Sequence, residues 1–123
     1  VSAPKRVCVD LDHVLACPSG PSIGEPYEGA KFFLKMLQTF GMEIVIHTAR
    51  IDPLDPTPAQ VSMVRSWLDK HDLPYDWVCG KPEAIAYIDD RAIPVPLGPS
   101  EADYDRVLHD MQALFFRQTR TTA

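Results

Sequence analysis

The chain lacks several things, and each absence narrows its class. No apolar run approaches the roughly 18 residues that a membrane-spanning helix needs. No charged, then apolar, then small-residue pattern of a signal peptide opens it. Basic residues are outnumbered, 12 Lys and Arg against 17 Asp and Glu, for a formal net charge of −5. A general nucleic-acid binder needs clustered cations to meet the phosphate backbone, so nucleic acid is not the expected partner. Cysteine is scarce and odd in number: Cys8, Cys17 and Cys79 contain no CxxC pair. That fits reduced thiols in a cytoplasmic protein. A zinc site drawing on Cys17, Cys79, His13 and His47 has no ligand spacing behind it. The glycine-rich phosphate loops GxxxxGK[ST] and GxGxxG are also missing, and with them the machinery for binding ATP or a dinucleotide.

What is present suits one globular domain spanning 1–123. The length of 123 residues allows a single core, and 46% hydrophobic content excludes disorder. Proline is in excess, with 12 residues. None falls inside a strongly periodic apolar segment, so the prolines mark loops and element starts.

Between them, apolar patterning predicts alternating strands and helices. Val7–Val9 reads as a buried strand ending in Asp10. A loop rich in Pro, Gly and Ser follows over 16–26. Phe33, Met36, Leu37 and Phe40 lie on one face of a helix over 28–40, which Gly41 is placed to end. Ile44–His47 is a second buried strand, ending in Thr48. Thr57-Pro58-Ala59-Gln60 is a capping box with Pro at the first helical position, opening a helix to about His71 with Val61, Val64 and Leu68 inward. Further strands are expected over 75–78, over 85–88 (ending in Asp89) and over 93–95. Ser100 caps a last helix carrying Tyr104, Val107, Leu108, Met111, Leu114 and Phe115, with a polar tail from Gln118. Such alternation implies an α/β fold with a parallel sheet covered on both faces.

In open parallel sheets, ligands bind beyond the carboxyl ends of the strands. Three of these strands end in polar residues: Asp10-Leu11-Asp12, Thr48 and Asp89-Asp90, while Lys81 lies in the loop between the last two. Each piece alone has a plain structural reading as a turn, a loop hydrogen bond or a solvated charge. Together they describe chemistry. Clustered carboxylates repel, and a hard divalent cation such as Mg²⁺ relieves that repulsion. A carboxylate serves as nucleophile, and a second one two residues on as general acid and base. A Thr hydroxyl and a Lys ammonium hold phosphoryl oxygens.

The order of these motifs resembles that of the haloacid dehalogenase (HAD) superfamily of phosphohydrolases. Val7-Cys8-Val9-Asp10-Leu11-Asp12 is similar to its first motif and Ile44-Val45-Ile46-His47-Thr48 to its second. Lys81 in Gly80-Lys81-Pro82 matches the third, and Ala86-Tyr87-Ile88-Asp89-Asp90 the fourth. The resemblance implies a Rossmann-like three-layer sandwich around a central parallel sheet of order 5-4-1-2-3. It implies a Mg²⁺-dependent phosphomonoester hydrolase working through an aspartyl-phosphate. Asp10 would be the nucleophile and Asp12 the general acid and base. Thr48 and Lys81 would fix the phosphoryl group, and Asp10, Asp12, Asp89 and Asp90 would hold Mg²⁺. Ala49, Arg50, Arg91 and His13 are the candidate substrate contacts; His13 stands where many members have Gly.

The spacing leaves no room for a cap domain after the first motif or between the second and third. The resemblance is therefore to small capless members, with 18–26 as a candidate partial flap. The Thr48-Ala49-Arg50 and Ile88-Asp89-Asp90-Arg91-Ala92 motifs resemble those of phosphatases in sugar or capsule-polysaccharide biosynthesis. A sugar phosphate or a larger phosphorylated substrate is thus the expected partner, and a homo-oligomer whose neighbouring subunit acts as lid is compatible with an open site. One reading of another kind competes, a phospho-accepting signalling or binding module without turnover; a polynucleotide end phosphatase is an alternative within the phosphatase reading.

Overall fold

The computed structural model describes residues 5–122, the last five as backbone only; Pro4 lies outside them. The chain runs β1 (Arg6–Asp10), β2 (Ala16–Ser19), β3 (Ser22–Pro26), α1 (Ala30–Thr39), β4 (Glu43–Thr48), α2 (Pro58–Lys70), β5 (Trp77–Gly80) and α3 (Glu101–Thr122). It is a mixed α/β structure with a three-stranded parallel sheet in the order β1-β4-β5, and β2 and β3 form a separate antiparallel hairpin.

Register fixes which side chains share a face. Val9 pairs with Ile46, and Ile46 with Val78, so these point together into the core. Asp10 pairs with His47, and Thr48 with Gly80, which places the three carboxyl ends side by side. Helices α1 and α2 pack on β4 and β5, and α3 packs on α1, with Phe33 stacked on Tyr104 at 4.9 Å between ring centroids. On the other sheet face, Cys8 and Trp77 are exposed. Val45, in register between them, is buried.

The helix ends follow from local chemistry. Gly41 adopts the left-handed conformation (φ 79°). Its amide donates to Gln38 O and that of Met42 to Leu37 O, a Schellman closure of α1. At α2 the expected capping box forms both ways: the Gln60 amide donates to Thr57 Oγ1 at 3.2 Å, and the Thr57 amide to Gln60 Oε1 at 3.3 Å. The inward face of α1 is rotated from the sequence reading. Ala30, Phe33, Leu34 and Leu37 are buried, while Met36 and Phe40 sit half-buried at the rim. Helix α3 continues to Thr122, past the point where the polar tail was expected.

The expected loop over 16–26 is the β2–β3 hairpin, and Pro18 and Pro26 lie within its strands. Gly20 (φ 61°) and Pro21 make the two-residue turn, the combination a type II′ turn asks for. The expected strand over 75–78 begins two residues later, because the Asp76 carboxylate takes the Ile44 amide at 2.7 Å while the Asp76 amide donates to Ile44 O.

Two expected strands do not form. Residues 85–88 belong to an irregular segment, with Ile85 and Ile88 fully exposed. Local contacts compete with strand pairing there: the Tyr87 ring lies under Lys81 Nζ at 4.1 Å, its hydroxyl donates to Pro82 O, and the Arg91 amide donates to Asp89 Oδ1 at 2.8 Å. Residues 93–95 are also irregular. Pro94 and Pro96 supply no amide for a ladder, and Ile93 and Val95 instead pack half-buried against the core.

Candidate functional site

The site is built on the tight turn that follows β1. The Leu11 amide donates to Asp10 Oδ1 at 2.9 Å, and the amides of Leu15 and Ala16 both donate to Leu11 O. The turn carries Asp12 around onto the same side of the molecule as Asp10's neighbours. Its sharpest point is His13, an exposed residue at φ 66°, with its carbonyl taking the Gly98 amide. The left-handed region favours glycine, and His13 occupies it with a side chain.

From β4, Thr48 is buried, and its Oγ1 accepts the Arg50 amide at 3.1 Å. Its carbonyl accepts the Lys81 amide at 3.0 Å. Gly80 permits that approach. A Cβ at residue 80 would lie 2.5 Å from Ile51 O and 2.6 Å from Pro53 N, both backbone atoms. Lys81 then reaches back across the strand ends, its Nζ 3.3 Å from Asp10 Oδ2. Arg50 grips Asp12 with two donors, Nε to Oδ2 at 2.7 Å and Nη2 to Oδ1 at 2.9 Å. The outcome is two ion pairs, their cations largely sheltered and their carboxylates partly exposed.

The structure therefore brings together Asp10, Asp12, Thr48, Arg50 and Lys81. Ala49 and His13 flank them as exposed residues. Asp89, Asp90 and Arg91 stand apart in their exposed turn, because the strand meant to deliver them has not formed. Sequence reasoning missed two residues. Tyr87 covers Lys81 through its ring, a contact no spacing announces. His47 stands beside Asp10 in the sheet register, and burial, aided by the Lys81 ammonium, holds its imidazole below the ordinary histidine range against the pull of Asp10.

The fit of a metal can be judged on these contacts. Asp10 and Asp12 are each engaged by a cationic side chain, and among the described residues no three His, Cys, Asp or Glu converge closely enough to hold an ion. The residues as placed do not form a Mg²⁺ site, and the expected four-carboxylate cluster is not assembled. The site pairs two acidic with two basic side chains rather than concentrating negative charge.

Comparison with known proteins gives a likeness of fold. No family model matches the chain, and no curated protein matches it. Among solved structures it is similar to a crystal structure of a structural-genomics target from Vibrio cholerae, at 27% identity and a TM-score of 0.63, covering 91% of this chain and 97% of that one.

Proposed function

We propose that the chain is a capless phosphatase of the HAD type, a phosphomonoester hydrolase with Asp10 as nucleophile. The observation that carries this reading is the convergence of Asp10, Asp12, Thr48 and Lys81 at the carboxyl ends of the strands, with Lys81 Nζ 3.3 Å from the Asp10 carboxylate. In the first half-reaction an Asp10 oxygen bonds to phosphorus, the ester P–O bond breaks, and Asp12 in its acid form gives its proton to the departing alkoxide. In the second, water attacks phosphorus and loses a proton to the Asp12 carboxylate, releasing inorganic phosphate and restoring Asp10. The Lys81 ammonium, exchanging Asp10 for the phosphoryl oxygens, and the Thr48 hydroxyl offset the charge that builds there. The need for Mg²⁺ belongs to the same proposal. It requires 85–90 to move to the outer edge of β1, which would bring Asp89 and Asp90 beside Asp10 as part of a fourth strand. A sugar phosphate is the substrate class proposed with it, and a cytoplasmic location accompanies it.

One observation favours a second reading, a phosphate-binding module without turnover: both oxygens of Asp12 are taken by Arg50. A phosphate-release assay over aryl and sugar phosphates with Mg²⁺ separates the two. The first reading expects release by the wild type and none by Asp10→Asn; equal release by both sinks it. Phosphate ester binding with no release at all favours the second.

A further inference from the structure

One guanidinium makes four donor contacts to two different parts of the molecule. Besides its grip on Asp12, Arg50 donates from Nη1 to Pro21 O at 2.7 Å and from Nη2 to Ser22 O at 2.9 Å. Pro21 and Ser22 form the tip of the β2–β3 hairpin. Arginine has five N–H donors in a fixed fork, so a single one is left for a substrate anion, the role the sequence suggested. The hairpin has another tether nearer its base, where Trp67 Nε1 of α2 donates to Gly24 O at 2.9 Å.

We propose that Arg50 is a positioning residue, a latch through which the hairpin tip and the Asp12 carboxylate are released together. The atoms make the linkage explicit. Nη2 serves both Asp12 Oδ1 and Ser22 O, so a swing of the guanidinium that frees Oδ1 also lets go of the tip. The Trp67 tether confines that motion to the turn rather than the whole hairpin. The kinetic consequence rests on the phosphatase reading. There Asp12 must donate a proton, and a carboxyl oxygen that accepts a hydrogen bond from Arg50 is not free to donate. The latched arrangement is therefore a resting one, and the acid step requires at least one prong to open.

Hydrogen exchange tests the latch without any need for turnover. The amides of Ser19, Gly20 and Ser22 are followed in the wild type, Arg50→Gln, Asp12→Asn and the double variant. Amides of α1 and β4 control for an intact fold. Each single variant is expected to speed exchange at the tip about tenfold, the loss of a charge-assisted contact, with the double variant no faster than either. Wild-type exchange in Asp12→Asn, or rates that multiply in the double variant, overturn the proposal. If Arg50→Gln disturbs the control amides, Arg50→Lys replaces it. Its ammonium lacks the fork, so the tip should again exchange faster; wild-type protection overturns the proposal. The second arm compares phosphate release from an alkyl ester, which needs the acid, with release from a para-nitrophenyl ester, which does not. Arg50→Gln should raise that ratio about threefold or more, whereas an equal fall on both esters marks a merely structural role and overturns it. If the wild type hydrolyses no ester, the phosphatase reading fails and the exchange arm alone decides the latch.

Discussion

The carbonyl of Thr48 accepts the backbone amide of Lys81 at 3.0 Å. That bond extends the β4–β5 ladder one step past Gly80 and sets the lysine's starting direction. The side chain then returns over the strand ends to Asp10. Position 80 controls the geometry, because only a residue without Cβ fits against Ile51 O and Pro53 N. Gly80→Ala is expected to lower stability by about 2 kcal/mol through forced backbone displacement, read as a shifted urea midpoint. Phosphate release should fall more steeply than the lost stability accounts for, since Lys81 moves with the backbone.

Lys81→Met keeps the aliphatic stem over Tyr87 and removes the charge. If Lys81 stabilises phosphoryl oxygens in the transition state, kcat should fall by about 10²-fold or more. Steady-state kinetics on one aryl phosphate checks this, and a change confined to KM contradicts the assigned role.

Asp89 is the test of the proposed metal site. Mg²⁺ should slow hydrogen exchange over 86–90 in the wild type by drawing the segment onto β1, and should not do so in Asp89→Asn. An exchange profile that Mg²⁺ leaves unchanged removes the metal and the fourth strand from the proposal together.

Tyr104 sets an alkaline limit on stability. It is buried against Phe33, and its hydroxyl donates to Val14 O at 2.5 Å. Burial raises the phenol well above its ordinary value, with Tyr27 and Cys17 adding to the rise. The unfolded chain therefore loses this proton first as pH rises. Stability from this group is fully present below about pH 10 and declines above it as the unfolded state ionises. Tyr104→Phe should cost about 1 kcal/mol at neutral pH for the lost hydrogen bond and show a shallower alkaline decline in urea titrations.

His13→Gly relieves a left-handed backbone at an exposed position. The gain is expected to be about 0.5 kcal/mol, the relief of strain less the added freedom of the unfolded chain. Thermal unfolding measures it. A lower Tm would mean that the imidazole makes contacts worth more than the strain.

Much of this was legible in the sequence where the signal was local. Thr57 and Gln60 name their own capping box, Gly41 names its helix end, and β1 and β4 are short β-branched runs with polar ends. Thr48 and Lys81 were placed by the same logic, because strand ends meet wherever strands are parallel. What could not be read depends on competition between distant or tertiary contacts. Ile85–Ile88 has a strand's composition, but Tyr87 folds back on Lys81 and Pro82 and the segment leaves the sheet. The face of α1 depended on where α3 would lie, which Phe33 and Tyr104 decide. Asp76 reads as part of the strand over 75–78 until its carboxylate is found taking the Ile44 amide. Arg50 reads as a substrate contact because nothing in its sequence neighbours reveals that the tip of a hairpin claims it.

Strand β1 pairs on one side with β4, and among the described residues its other side pairs with no strand. Such a margin is a template on which another chain can add itself. Lys5 and Arg6 stand where the strand begins, one an exposed cation and the other an exposed cation tied to Glu43. Charged side chains at a sheet edge keep it hydrated and oppose the addition of a strand, and concentrated salt weakens the electrostatic part of that opposition.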